Sequence, residues 1–271
     1  MKDNPEAKMN STLSHDETRQ LVRDRYSKVA ASGGSCCGNG TCCSPGPVAG
    51  ISEKLGYSKQ DLSFVPEGSD MGLGCGNPQA IAGLKPGETV VDLGCGGGFD
   101  CFLAADKLGE KGRVIGVDMT PEMISRARAN ASRAGCRNVE VRLGEIEHLP
   151  VADKTADVII SNCVINLSPD KEQVFADAFR VLKEGGRLAI SDIVAIRELP
   201  FEKKRDADAY CGCVAGAALV QDLERMLCEA GFADIVIAVK DESKEYIRDW
   251  FPGSGIEDYA RSAIITATRK S

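Results

Sequence analysis

Residues 90–100, VVDLGCGGGFD, set four glycines directly behind a short apolar run, and no other segment restricts the fold as tightly. A glycine turn between a strand and a helix lets backbone approach a ligand with no side chain in the way. From Thr89 onward the chain keeps to that pattern. The apolar runs TVVDL, RVIGVD, VEVRLG, ADVIISNCVI and RLAISDIV alternate with the helical stretches FDCFLAADKL, PEMISRARANASRAG and KEQVFADAFRVL. Pro121 opens one helix at its first turn, and Gly185-Gly186 stops another. Such a βαβ series predicts an α/β fold: a parallel sheet with helices on both faces. After Asp192 come a polar, cysteine-bearing insertion (193–218), a helix over 219–230, a strand DIVIAV, a helix KEYIRDWF and a last strand SAIITAT. Upstream, residues 14–31 predict a helix with Ser14 and Glu17 as a capping box, followed by a Gly/Ser/Pro loop carrying two cysteine doublets.

Composition narrows the chemistry. Acids outnumber lysine plus arginine by 40 to 33 over 271 residues, which disfavours general nucleic-acid binding because phosphate contacts need a basic surface. No apolar run approaches the roughly 18 residues of a membrane helix, and the N-terminal stretch does not look like a secretory signal. A cytoplasmic protein with no membrane or nucleic-acid partner is expected. The chain holds 12 cysteines but 2 histidines, His15 and His148. With no export signal and enough length for a core, the cysteines read as reduced thiols with chemical or soft-metal duties. So few histidines remove most general-base and mixed zinc-ligand schemes.

Asp92, two residues before Gly94, sharpens the glycine signal. A carboxylate there is unhelpful beside a pyrophosphate but suits a ligand with an ammonium and a sulfonium, as in S-adenosylmethionine; a nicotinamide dinucleotide fits less well. Asp118 ends the next strand, where a carboxylate can accept both ribose hydroxyls. Glu145 and Ile146 end a third, placed to grip an adenine. Residues 83–192 resemble class I S-adenosylmethionine-dependent methyltransferases. The resemblance implies a Rossmann-like, mostly parallel seven-stranded sheet with one antiparallel strand, DIVIAV and SAIITAT being the last pair. It also implies cofactor contacts from Asp92, Gly94, Cys95, Gly96, Asp118, Met119, Glu145, Ile146 and Asn162. The thiols of Cys95, Cys101, Cys136 and Cys228 read as small packing groups.

Three cysteines fall outside predictable core positions: Cys75 in GLGCGNP, Cys163 in ISNCVINLS and Cys213 in YCGCVAGAA. Cys163 follows a strand at its carboxyl end, which in open α/β sheets faces the ligand crevice. Cys75 sits in a flexible loop and Cys213 in the insertion. Three thiolates without a nearby histidine describe a three-coordinate thiophilic site, whereas structural zinc prefers four ligands. GLGCGNP, GGGFDCFLAA, LGEIEHLPVADKTADVIISNCVINLSPDK and DWFPGSGIEDYARSA together resemble arsenite methyltransferases, over about residues 14–271.

That resemblance implies As(III) held by Cys75, Cys163 and Cys213, and methyl transfer from S-adenosylmethionine to arsenite and methylarsenite. Re-reduction by thiols would leave a disulfide for thioredoxin or glutathione, with one of Cys36, Cys37, Cys42 and Cys43 joining the redox cycle. Some relatives carry an aromatic residue where this chain has Leu73. The implied organisation is an N-terminal helix and Cys-rich loop (1–47), a lid segment bearing the first arsenic cysteine (48–82), the cofactor domain (83–192) and a region completing sheet and arsenic site (193–271), in a monomer. Two functions compete: a small-molecule C- or O-methyltransferase of the ubiquinone or sterol type, and a metalloid-sequestering protein without catalysis.

Overall fold

The computed structural model describes residues 13–32, 52–204 and 206–270. Cys36, Cys37, Cys42 and Cys43 lie outside these. Helix α1 (His15–Ser32) opens as its sequence dictates. The Glu17 N–H donates to Ser14 Oγ at 3.2 Å, and the Ser14 N–H donates to Glu17 Oε2 at 2.9 Å. Two short helices follow, α2 (Lys59–Phe64) and α3 (Gln79–Ala82).

The alternating region then folds as strands and helices: β1 (Thr89–Leu93), α4 (Phe99–Leu108), β2 (Arg113–Asp118), α5 (Pro121–Ala134), β3 (Val139–Leu143), β4 (Ala156–Asn162), α6 (Lys171–Val181) and β5 (Leu182–Ala195). Beyond β5 lie α7 (Phe201–Lys204), α8 (Ala207–Cys211), α9 (Val220–Glu229), β6 (Ala233–Lys240), α10 (Lys244–Trp250) and β7 (Ala260–Thr268). The sheet has seven strands in the order β3-β2-β1-β4-β5-β7-β6. β7 runs antiparallel to both β5 and β6, and the remaining pairs are parallel. This is the expected Rossmann-like arrangement. Val90, Val91, Val114, Ile115, Ile159 and Ile160 are fully buried, as strands covered by helices on both faces require.

Three boundaries differ from the sequence reading. The apolar run through Ile165 predicts a longer β4, yet the strand stops at Asn162. There Cys163 takes φ +58°, and Ile165–Leu167 form a tight 3-10 turn whose Ile165 N–H donates to Asp192 Oδ2 at 2.9 Å. β5 begins at Leu182, ahead of Gly185 at φ +77°, and its pairing with β4 shifts register there. β5 also runs on to Ala195, past the predicted RLAISDIV, and the polar insertion that follows contains α7 and α8.

Gly116 lies in β2 beneath the glycine turn. A Cβ on it would come 2.8 Å from the sulfurs of both Cys95 and Cys101, so the turn packs on the sheet through two thiols that need a bare backbone below them. Overpacking a tight core costs about 1–3 kcal/mol. Gly116→Ala is therefore expected to lower stability by that amount in urea unfolding; an unchanged midpoint would show that the sulfurs move aside freely.

Candidate active site

The strand order reverses between β1 and β4, and a cleft opens at the carboxyl ends there, as it does in open α/β sheets generally. It encloses about 1100 Å³ of free space, part of it open to solvent. The glycine turn forms one wall. The N–H groups of Gly94 and Cys95 donate to the Val117 carbonyl at 2.8 and 3.0 Å, and that of Gly96 donates to Asp118 Oδ2 at 3.0 Å. Gly94 takes φ +67°, and a Cβ there would stand 2.2 Å from Val164 Cγ2. Glycine is thus required twice over, by conformation and by contact.

Asp92, Gly94, Cys95, Gly96, Asp118, Met119, Ile146 and Asn162 all line this one cleft. Glu145 is the exception. Its carboxylate is bridged to Arg19 and Arg23 of α1, at 3.4 and 3.3 Å. Glu147 lines the cleft instead, buried and accepting from Ser168 Oγ at 2.7 Å and Arg19 Nε at 3.2 Å.

The residues most plainly missed are Tyr57 and Asp100. Asp100, in the first turn of α4, accepts from Tyr57 Oη at 2.8 Å and from Asn162 Nδ2 at 3.2 Å. The acid directly after GGGF was the available signal. Burial pushes the Asp100 carboxyl up to about 6, against the hydrogen bonds from Asn162 and Tyr57. Burial, with Asp100 and Asp118 as negative neighbours, holds the Asp92 carboxyl well above the usual range, although Cys101 Sγ donates to it at 3.2 Å. Two desolvated acids beside a glycine turn favour a cationic ligand over a phosphate.

Asn162 connects this acidic end to the cysteines. Its Nδ2 also donates to Tyr57 Oη at 3.0 Å and to the Gly76 carbonyl at 2.9 Å, while its Oδ1 accepts from the Cys75 N–H at 3.1 Å. The loop read as flexible is in fact anchored: Cys75 is fully buried, and its carbonyl accepts from Ser262 Oγ at 2.9 Å. Cys75, Cys163 and Cys213 share one buried cluster, and Cys163 also lines the cleft.

Cys75 and Cys163 are joined by a disulfide with Cα atoms 5.7 Å apart, where free thiols were expected. The Cys213 thiol donates to the Cys163 carbonyl at 2.7 Å. Among the described residues, the ligand atoms lying within 4.8 Å of one another here belong to Cys75, Cys163 and Asp192. Asn166 braces the group, donating to Asp192 Oδ1, the Ile193 carbonyl and the Cys213 carbonyl. Cys163 and Cys213 both have positive φ, +58° and +64°, a strain of about 1–2 kcal/mol each, of the kind that clusters at active sites. Burial pushes the Cys213 thiol well up, with Asp192 adding to it. Of the other cysteines, Cys95 and Cys101 are buried packing groups as read, whereas Cys228 is exposed and Cys136 half-buried.

The methyltransferase-domain family model matches residues 84–231. An arsenite methyltransferase of Halobacterium salinarum is 54% identical over 94% of this chain and 67% of its own length. The chain belongs to the arsenite methyltransferase family. A second family member, from Aquipseudomonas alcaligenes, is 41% identical over 79% of this chain and 62% of its own. The chain thus spans about two thirds of the length of these curated relatives. Among solved structures, an arsenic(III) S-adenosylmethionine methyltransferase from Chlamydomonas reinhardtii superimposes with a TM-score of 0.60 at 34% identity, covering 84% of this chain and 75% of that one. Among the described residues, no helix is long and apolar enough to cross a membrane.

The buried acids set a pH dependence. The folded protein binds the Asp100 proton more tightly than the unfolded chain does, whose aspartates titrate near 4. The stability from this group is complete below about pH 4 and is lost as pH rises through about 6. Urea unfolding of the ligand-free protein is expected to weaken across that window by about 1–3 kcal/mol for this group, and Asp100→Asn to flatten the slope. An identical slope in the variant would assign the loss to other groups.

Proposed function

We propose that this protein methylates trivalent arsenic, both arsenite and methylarsenite, with S-adenosylmethionine as donor. The observation that carries the reading is one of placement. Three cysteines far apart in sequence are buried together beside a glycine-turn cleft, and Cys163 belongs to both. The Halobacterium salinarum relative and the Chlamydomonas reinhardtii structure support it by what their names say they act on.

The donor set fits the cofactor. Asp92 and Asp100 form an uncompensated acidic end suited to an amino-acid ammonium and a sulfonium, and Asp118 is placed for a ribose. When bound, S-adenosylmethionine supplies an electrophilic methyl group. The chain's own residues do the rest. Cys75, Cys163 and Cys213 hold the arsenic of arsenite as a pyramidal thiolate complex with its lone pair free. Two of them suffice for methylarsenite, which keeps its methyl as the third substituent. This requires the Cys75–Cys163 pair in its reduced form. Thiol protons leave with arsenite's oxygens as water. The lone pair carries no proton, so no general base is needed at the transfer step, in keeping with so few histidines. Alignment supplies most of the rate; effective molarity can be worth roughly 7–11 kcal/mol. Asn162 sets that alignment through its bonds to the Cys75 N–H on one side and to Tyr57 and Asp100 on the other. Methylation takes arsenic to the pentavalent state, and two thiols return it to As(III) while forming a disulfide. The cysteines at 36, 37, 42 and 43 supply candidates for that step, and an external thiol such as thioredoxin or glutathione resets it.

Incubation with arsenite, S-adenosylmethionine and thiol, followed by arsenic speciation, is expected to give methylarsenicals; none above the enzyme-free control would end the reading. Cys75→Ser, Cys163→Ser and Cys213→Ser should each cut the rate at least 100-fold while leaving S-adenosylmethionine affinity within about threefold. Full activity in all three would point instead to a C- or O-methyltransferase of small organic acceptors. Serine at positions 36, 37, 42 and 43 together should slow repeated turnover and spare the first transfer. Equal multi-turnover rates would remove the shuttle.

A further inference from the structure

The thiols of Cys95 and Cys101 take no part in the scheme above. Cys95 is among the residues lining the cleft, with its side chain buried against β2, and Cys101 lies fully buried in the first turn of α4 behind it. Both sulfurs crowd the same bare backbone of Gly116, at 2.8 Å from where its Cβ would stand. Their shared approach to that one point sets the two sulfurs close together, and neither is in a disulfide. Cys101 also donates to Asp92 Oδ2 at 3.2 Å. A close pair of reduced thiols beside a cleft is the donor set that a soft, three-coordinate ion seeks.

We propose that Cys95 and Cys101 form a second, two-sulfur site for trivalent arsenicals inside the cofactor cleft, where arsenic and the methyl donor exclude one another. At each sulfur an As–S bond forms as an As–O bond breaks, and the thiol proton leaves with the oxygen as water. Arsenic stays trivalent throughout, no electron is transferred, and the third arsenic substituent is retained. The bridge joins a residue of the glycine turn to one at the start of α4. Gly116 leaves no slack on the sheet side, so the added atom is accommodated towards the cleft. Cys101 gives up its hydrogen bond to Asp92 in the process. Excess arsenite thereby closes the cofactor site. The exclusion rests on the proposed cofactor; the arsenic site itself does not.

Phenylarsine oxide, which needs two thiols, serves as the probe for the site. Native mass spectrometry of the full reduced chain is expected to count one fewer arsenic adduct in Cys95→Ala and in Cys101→Ala than in the unaltered protein, with peptide mapping placing the missing adduct on the glycine-turn segment. An unchanged count in both variants overturns the site. Cys101→Ser, nearly isosteric, repeats the count should alanine disturb the fold. In equilibrium dialysis, saturating arsenite is expected to weaken S-adenosylmethionine binding at least tenfold in the unaltered protein and less than twofold in Cys101→Ala. Equal weakening in both overturns the exclusion. Were S-adenosylmethionine not to bind even without arsenite, the cofactor reading would fall alone, because the adduct count decides the dithiol independently.

Discussion

One amide side chain holds the two halves of the candidate site in register. Asn162, the last residue of β4, spends its Nδ2 on Tyr57, Gly76 and Asp100 and its Oδ1 on the Cys75 N–H. Donor cleft and sulfur cluster are thereby referred to one rigid strand end rather than to each other through loops. The arrangement depends on missing side chains as well as on present ones. A Cβ at Gly74 would stand 2.8 Å from Asn162 Nδ2, and one at Gly76 would stand 2.0 Å from Ser191 Oγ. The glycines around Cys75 therefore allow close docking, where their sequence suggested only looseness.

The site is expensive to build. It buries Asp92, Asp100 and Asp192, and half-buries Asp118, at the ends of central strands or beside them, where desolvation opposes the charged form. Asp192 is pushed up to about 6 by burial, against the N–H groups of Ile193 and Ile165. Its bonds hold the turn that redirects the chain at Cys163. Cost and function thus sit on the same residues. The acids that weaken the ligand-free fold are those a cationic cofactor would compensate, or those that hold the turn at Cys163 in place.

Much of this was legible in the sequence. The strands over 89–93 and 113–118 could be read because runs covered on both faces are largely apolar, and the edge strand 139–143 because its apolar and charged residues alternate. The cofactor-side residues followed because they sit at strand ends. Legibility failed where tertiary contacts override local pattern. Val164 and Ile165 look like strand, yet Asp192, 27 residues beyond Ile165, bends them into a turn. Glu145 and Glu147 both reach Arg19 of α1, and that Glu147 is the one lining the cleft is decided by tertiary packing rather than by anything local. Asp100 was hidden as an ordinary helix-start acid, its burial made by Tyr57 from a segment with little pattern of its own. That Cys75 and Cys163 lie within bonding distance follows from how the 70s loop docks across β4, which spacing along the chain does not encode.

Cysteine occupies two left-handed backbone positions, 163 and 213, where an L-residue pays about 1–2 kcal/mol relative to glycine. Selection for sulfur must hold against that steady pull. A descendant released from thiophilic substrates would gain stability by drifting to glycine at either place. Glycine found there in a diverged homologue would thus be the fossil of an abandoned chemistry, and cysteine the sign of one still in use.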